Sequence, residues 1–302
     1  MKEKEDCFLK VKKDYIKFLK KEKIFGQTIK KLKNYYIPVS FWIEKKYKNK
    51  GKTLFLGISG GQGSGKTTIS KILKIIMKNY FKREVHVSSI DDFYKTLSQR
   101  KKLSKKIHPL FKTRGVPGTH DVNLIIKFFR NIKVNKFRKI KLPKFDKSID
   151  DRKKNKYFST INNKPEIVIL EGWCVGAKPQ SNFLIQKPIN VLEKNEDQNL
   201  TWRKYVNKKL KKEYNKLFSM IDYFIFIKIP NFKMVLKWRL LQENKLKKKF
   251  QISKKIMNFR EIKRFIMFYQ RITLQMIKDL SKSASVVMIL KKNHQLKKIM
   301  FR

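Results

Sequence analysis

The stretch Thr53-Leu54-Phe55-Leu56-Gly57-Ile58-Ser59-Gly60-Gly61-Gln62-Gly63-Ser64-Gly65-Lys66-Thr67-Thr68 joins an apolar run to a glycine-rich loop that closes on a Lys-Thr pair. The residues after it, Ile69 to Ile76, place apolar side chains at helical spacing, so the segment reads as strand, loop and helix. Gly60 to Thr67 fits the pattern G-x-x-x-x-G-K-[ST]. Glycines let successive backbone N–H groups turn inward, and a helix N-terminus adds its positive end to a bound phosphate. Gly60, Gly61, Gln62, Gly63, Ser64, Gly65, Lys66, Thr67 and Thr68 are therefore the expected nucleotide-binding residues. Lys66 would reach the β- and γ-phosphates of ATP, and the Thr67 hydroxyl would hold Mg²⁺.

A chain of 302 residues can hold one α/β domain of ordinary size with additions. Its net charge of +53, from 76 basic and 23 acidic residues, is of the kind that points to nucleic acid or an anionic membrane surface. Only 12 of the basic residues are Arg, whereas paired recognition of phosphates and bases favours Arg, and the Lys residues run from end to end. A solvated charged surface is the expected reading, and a nucleic-acid partner is disfavoured. The two cysteines, Cys7 and Cys174, imply no disulfide framework and suit a reducing cytoplasm. No apolar run approaches the roughly twenty residues needed to span a bilayer.

Residues 1–50 read as a basic helical extension packed on the core, with Phe8, Val11, Tyr15, Phe18 and Leu19 as its apolar stripe. Residues 51–302 read as the phosphate-loop domain. Glu84 to Ile90 is a β-branched run that reads as a buried strand, and Asp91 and Asp92 stand at its C-terminal end. Open parallel sheets place ligands beyond the carboxyl ends of their strands. Either carboxylate there can take the proton of an attacking hydroxyl or hold Mg²⁺ through water.

Residues 95–113 are basic and poorly periodic, as expected of an insertion on the substrate side. Arg114-Gly115-Val116-Pro117-Gly118-Thr119-His120-Asp121 reads as a fixed turn before a helix that runs from Val122 to Phe129. Ile140 to Lys147 reads as an edge strand or hairpin, Pro143 arguing against a central place. Glu166 to Leu170 is a continuous apolar strand that ends at Glu171, where a second magnesium-associated carboxylate is expected. Asp222 to Ile229 and Ser285 to Leu290 read as further strands, Met234 to Glu243 and Phe265 to Met276 as helices. Arg239 on the first of these helices could reach ATP phosphates from a closing segment, or be simply solvated. Strands alternate with helices, which predicts an α/β fold with a mostly parallel sheet covered by helices on both faces.

From about residue 35 to near its C-terminus the chain resembles the plant-type D-glycerate 3-kinases. The resemblance rests on the glycine loop, on Ser89-Ile90-Asp91-Asp92-Phe93-Tyr94, on Arg114-Gly115 with Pro117-Gly118-Thr119-His120-Asp121, on Pro143-Lys144-Phe145-Asp146-Lys147-Ser148 with Arg152, and on Glu171-Gly172-Trp173. That clade in turn looks like the uridine kinases, phosphoribulokinases and bacterial pantothenate kinases. The resemblance implies a P-loop NTPase fold, with residues 51–302 as the kinase domain. It also implies ATP- and Mg²⁺-dependent transfer of a γ-phosphoryl group to a hydroxyl of D-glycerate, giving 3-phosphoglycerate.

By position it makes Lys66, Asp91, Asp92 and Arg239 catalytic, Asp91 matching the general base and Asp92 its close alternative. Thr67, Asp91 and Glu171 fall to the metal, and Arg114, His120, Asp121, Lys144, Asp146 and Arg152 to the acceptor. A carboxylate acceptor needs a cationic partner, for which Arg114 and Arg152 both offer the planar fork. Ser148 to Asp151 departs from the Gly-rich linker of the relatives, being shorter and more acidic. A kinase of the same fold acting on a uridine- or pantothenate-like acceptor is the alternative, followed by a nucleic-acid-stimulated P-loop ATPase. The oligomeric state is not written in the sequence.

Overall fold

Alternation along the central strands decides how the sheet is covered. The computed structural model describes residues 2–24, 28–134, 137–249 and 257–302. Its strands are β1 (Leu54–Gly60), β2 (Val85–Ser89), β3 (Ile140–Leu142), β4 (Phe145–Asp146), β5 (Asp151–Arg152), β6 (Ser159–Ile161), β7 (Ile167–Gly172), β8 (Tyr223–Lys228), β9 (Val286–Leu290) and β10 (Leu296–Phe301). The main helices are α1 (Lys2–Lys21), α2 (Ile37–Lys50), α3 (Lys66–Asn79), α4 (Leu97–Lys106), α5 (Val122–Lys133), α6 (Thr201–Lys209), α7 (Lys233–Lys249) and α8 (Phe259–Ser283). The six-stranded sheet has the order β10-β9-β8-β1-β7-β2, and only the β9–β10 pair is antiparallel. The expected mostly parallel sheet is present.

Leu54, Leu56 and Ile58 of β1 point to one face, with Ile167, Ile169, Ile225, Ile227, Val286 and Met288. There they meet Ile69, Ile72, Leu73 and Ile76 of α3 and the Cys7, Val11 and Tyr15 side of α1. Phe55, Val168, Leu170, Phe226 and Val287 point to the other face, onto Ile125, Phe128 and Phe129 of α5 and onto Tyr269, Ile272, Met276 and Leu280 of α8. Phe55 and Phe129 are tilted rings with centroids 4.7 Å apart. Burying each such aromatic contributes roughly 1.5–3 kcal/mol. Residues 2–24 and 28–50 thus share one core with the sheet.

Several elements differ from expectation. β2 is an edge strand and not a fully buried one, so His86 and Ser88 are accommodated on it, with His86 Nε2 2.8 Å from Ser88 Oγ. Residues 95–113 hold the regular helix α4, opened by a capping box of Thr96 and Gln99, followed by a short turn at Pro109–Lys112. Its inward residue is Arg100, fully buried, which breaks the apolar periodicity. β3 pairs with β6 and β4 with β5, making two small hairpin layers outside the main sheet. β10 adds an edge strand after the expected last one. Among the described residues no helix is long and apolar enough to cross a membrane.

Candidate active site

The phosphate loop sits where β1 hands over to α3. Gly65 is the residue before α3, at φ +87°, and Gly63 lies at φ +75°, both in the left-handed region that a side chain disfavours. No side chain caps α3, so its first N–H groups are left open to a ligand. Lys66 Nζ folds back 3.1 Å from the Gly61 carbonyl. The Ser59 and Ser64 hydroxyls are buried with no partner among the described residues. The loop is braced from outside by His294, whose Nε2 lies 3.0 Å from the Gly63 carbonyl and whose ring stacks on Trp238 at 3.8 Å.

Beside this loop, at the carboxyl ends of β1, β2 and β7, lies a cavity of about 220 Å³. Gln62, Gly63, Lys66, Thr67, Ser89, Asp91, Tyr94, Arg114, Lys147, Glu171, Trp173, Arg239, Gln242, Phe265 and Tyr269 line it. This is where ligands sit in open α/β sheets. Thr67 Oγ1 donates to Glu171 Oε1 at 3.0 Å. Burial raises the Glu171 carboxyl above its ordinary range, with Asp91 adding to the rise and Lys66 opposing it. Burial likewise lowers Lys66, against the attraction of Glu171 and Asp91.

Asp91 sits on the short turn Ile90–Phe93, where its N–H donates to the Ser89 hydroxyl at 3.3 Å. Tyr94 donates its hydroxyl to Asp91 Oδ1 at 3.1 Å, and Lys147 Nζ lies 2.7 Å from Oδ2. Burial alone would raise Asp91, but Lys147, by charge and hydrogen bond, with His120 and Lys66, holds it down at about 2.

The donor set fits magnesium in the manner of nucleotide kinases. Mg²⁺ keeps several waters and takes one or two carboxylates plus substrate phosphates, not an all-protein cage. Thr67, Glu171 and Asp91 supply such a partial set, and among the described residues no cluster of three or more His, Cys, Asp or Glu forms a cage. The uncapped end of α3 and the partnerless Ser64 hydroxyl fit a phosphate chain.

Of the residues expected for the acceptor, Arg114 lines the cavity and the others do not. Arg152 gives its Nε to the Tyr94 carbonyl at 2.7 Å and an Nη2 to Phe93 O and Asp121 Oδ2. Asp121 also caps α5 by accepting from Leu124 N. Lys144 is tied to Asp92 at 2.7 Å, and Asp146 accepts from Ser148 N at 2.9 Å. His120 is 2% exposed, with Nδ1 2.6 Å from the Tyr214 hydroxyl and its ring stacked on Tyr94. Asp92, the alternative base, faces this hairpin and not the cavity.

Tyr94, Lys147, Trp173, Gln242 and Tyr269 line the cavity without having been assigned a role from sequence. The first three stand inside the motifs that carry the resemblance, which is the signal that marks them. Arg239 reaches the cavity from α7, paired with Glu243 one turn on.

No protein-family model matches the chain. The chain is 32% identical over 238 residues to an uncharacterized kinase of Schizosaccharomyces pombe, mug58, the match covering 76% of this chain and 82% of that protein. It is 30% identical over 230 residues to the chloroplastic D-glycerate 3-kinase of Arabidopsis thaliana, covering 70% of this chain and 48% of the plant protein, so it spans about half that protein's length. Among solved structures, a D-glycerate 3-kinase from Cryptococcus neoformans var. grubii shares the fold, with a TM-score of 0.75 at 22% identity over 89% of this chain and 99% of that one. With that fold, that loop and that match over most of mug58, the chain belongs to a family of P-loop kinases that includes mug58, and it is similar to the plant D-glycerate 3-kinase.

Proposed function

We propose that the protein transfers the γ-phosphoryl group of ATP to the 3-hydroxyl of D-glycerate, with Mg²⁺ held beside the phosphate loop by Thr67 and Glu171. The observation that carries this reading is the meeting of Lys66, Asp91, Glu171 and Arg114 around one cavity of about 220 Å³. A small hydroxy acid needs a base near its hydroxyl and a cation for its carboxylate, and Asp91 and Arg114 supply both. Arg152 is committed to backbone carbonyls and Asp121, which leaves the carboxylate to Arg114.

In the reaction the acceptor oxygen bonds to the γ-phosphorus while the bond from that phosphorus to the β–γ bridging oxygen breaks, and ADP leaves. The proton of the acceptor hydroxyl passes to the Asp91 carboxylate. Lys66 and the open N–H groups of α3 hold the phosphates in line, and Arg239 adds positive charge from α7. Magnesium, when bound, neutralises charge on the phosphate oxygens. The buried, free state of Cys7 and Cys174 suits a reducing cytoplasm.

ADP release from Mg-ATP, followed with D-glycerate, uridine, pantothenate, single-stranded polynucleotide or no acceptor, tests this reading. Turnover confined to D-glycerate is expected. Stimulation by uridine or pantothenate alone would discard the substrate and keep the kinase, and stimulation by polynucleotide alone would discard the small-molecule acceptor.

A further inference from the structure

The hairpin from Pro143 to Arg152 is fixed at several points and carries one free arm. Lys144 Nζ and Phe145 N both bind Asp92, at 2.7 and 3.4 Å. Arg152 binds the Tyr94 carbonyl, and Asp150 pairs with the buried Arg100 at 3.0 Å and with Arg114. Lys147, in the turn between β4 and β5, is 61% exposed along its side chain, yet its ammonium lines the cavity on Asp91.

Asp91 does not depend on that lysine for a partner, because the Tyr94 hydroxyl serves its other oxygen. The exposed stem of Lys147 lets its ammonium change partner without disturbing the core. Arg114 shows the same half-commitment. One Nη reaches Asp150 of the same hairpin, its side chain is 22% exposed, its guanidinium lies over the Phe145 ring, and its other N–H groups make no hydrogen bond among the described residues. Lys147 and Arg114 thus overlook the cavity with Lys66 and Arg239, and each of the two rests on a carboxylate of the chain.

We infer that Lys147 is a specificity residue that leaves Asp91 for the carboxylate of the acceptor, clamping a hydroxy acid together with Arg114 and baring Asp91 in the same movement. The inference rests on the roles given above to Asp91 and Arg114. An acid draws the ammonium away from Asp91 because it offers an equivalent charge. A neutral alcohol offers none and leaves the base covered. The site therefore selects for charge through the residue that guards its base, a repulsive as well as an attractive element.

The test compares kcat/KM for matched acids and alcohols, D-glycerate with glycerol and pantothenate with panthenol, in wild type, Lys147→Met and Lys147→Arg. Lys147→Met is expected to reduce the acid-over-alcohol ratio at least tenfold, chiefly through KM for the acid, and to raise turnover of the alcohol. Lys147→Arg is expected to recover part of the ratio. Because the side chain is exposed, thermal unfolding of both variants should match wild type, which separates the effect from misfolding. An unchanged ratio in Lys147→Met, or a wild type that prefers the alcohol of each pair, would overturn the inference. If wild type favours pantothenate over panthenol but ignores D-glycerate, the D-glycerate reading fails while charge selection stands.

Discussion

Adjacent carboxylates at the end of β2 part company because the turn Ile90–Phe93 sends Asp91 into the cavity and Asp92 toward Lys144. Asp91→Asn should lower kcat by about 10²–10⁴, the usual reach of a positioned general base. Asp92→Asn should leave kcat within a few-fold and raise KM for the acceptor by loosening the hairpin. Steady-state kinetics on both variants checks the split. Lys66→Ala should cut kcat by about 10²–10³ without loss of thermal stability, since it removes an ammonium that burial disfavours.

His120 carries a pH signature. Burial lowers it to about 4, with Lys95 adding to the fall and Asp91 opposing it. The unfolded chain takes up this proton near pH 6.5, and the fold refuses it until about 4. Stability is therefore full above pH 6.5 and falls as pH drops toward 4, by up to about 3 kcal/mol. Urea unfolding of wild type and His120→Asn across that range checks this, the variant losing less on acidification. Asp91, Lys66, Thr67 and Glu171 were legible as site residues because their places are set by strand ends and one motif. The positions of Arg152, Lys144 and His120 were not, because a charged or aromatic side chain in an irregular loop turns toward partners distant in sequence.

At the scale of elements, the wall of the cavity hangs on one glycine. Gly115 lies at φ +141°, and a Cβ there would overlap the Tyr269 hydroxyl, which donates to the Arg114 carbonyl at 3.2 Å. Trp173 donates its Nε1 to the Gly115 carbonyl at 3.1 Å, so the strand end of β7 and helix α8 grip the same turn. Gly115→Ala should lower kcat/KM for the acceptor by tenfold or more and lower the unfolding temperature, although residue 115 does not line the cavity. Kinetics with thermal unfolding checks this, a silent substitution counting against it. The strands β1, β7, β8 and β9 and the helices α3, α5, α7 and α8 were legible from apolar runs and helical spacing. Helix α4 was not, because its buried position is Arg100, bound to the Lys112 carbonyl at 2.7 Å. β10 was hidden because its adjacent Lys297 and Lys298, both exposed, break the strand's alternation.

At the scale of the molecule, alternation of strand and helix was enough for the sheet's parallel character. Its order was not legible, since β7 enters between β1 and β2 across more than seventy intervening residues and no local pattern records that. The net charge of +53 comes from basic residues that run from end to end of the chain. Like charges within a Debye length repel, so unfolding temperature should rise between about 20 mM and about 200 mM KCl. A flat or falling response would contradict the reading of the charge as a solvated, self-repelling surface.

The most direct measurement is nuclear magnetic resonance of the products formed from Mg-ATP and D-glycerate. The account predicts 3-phosphoglycerate and ADP appearing in equal amounts. ATP left intact, or converted to ADP with no phosphorylated glycerate, would contradict it.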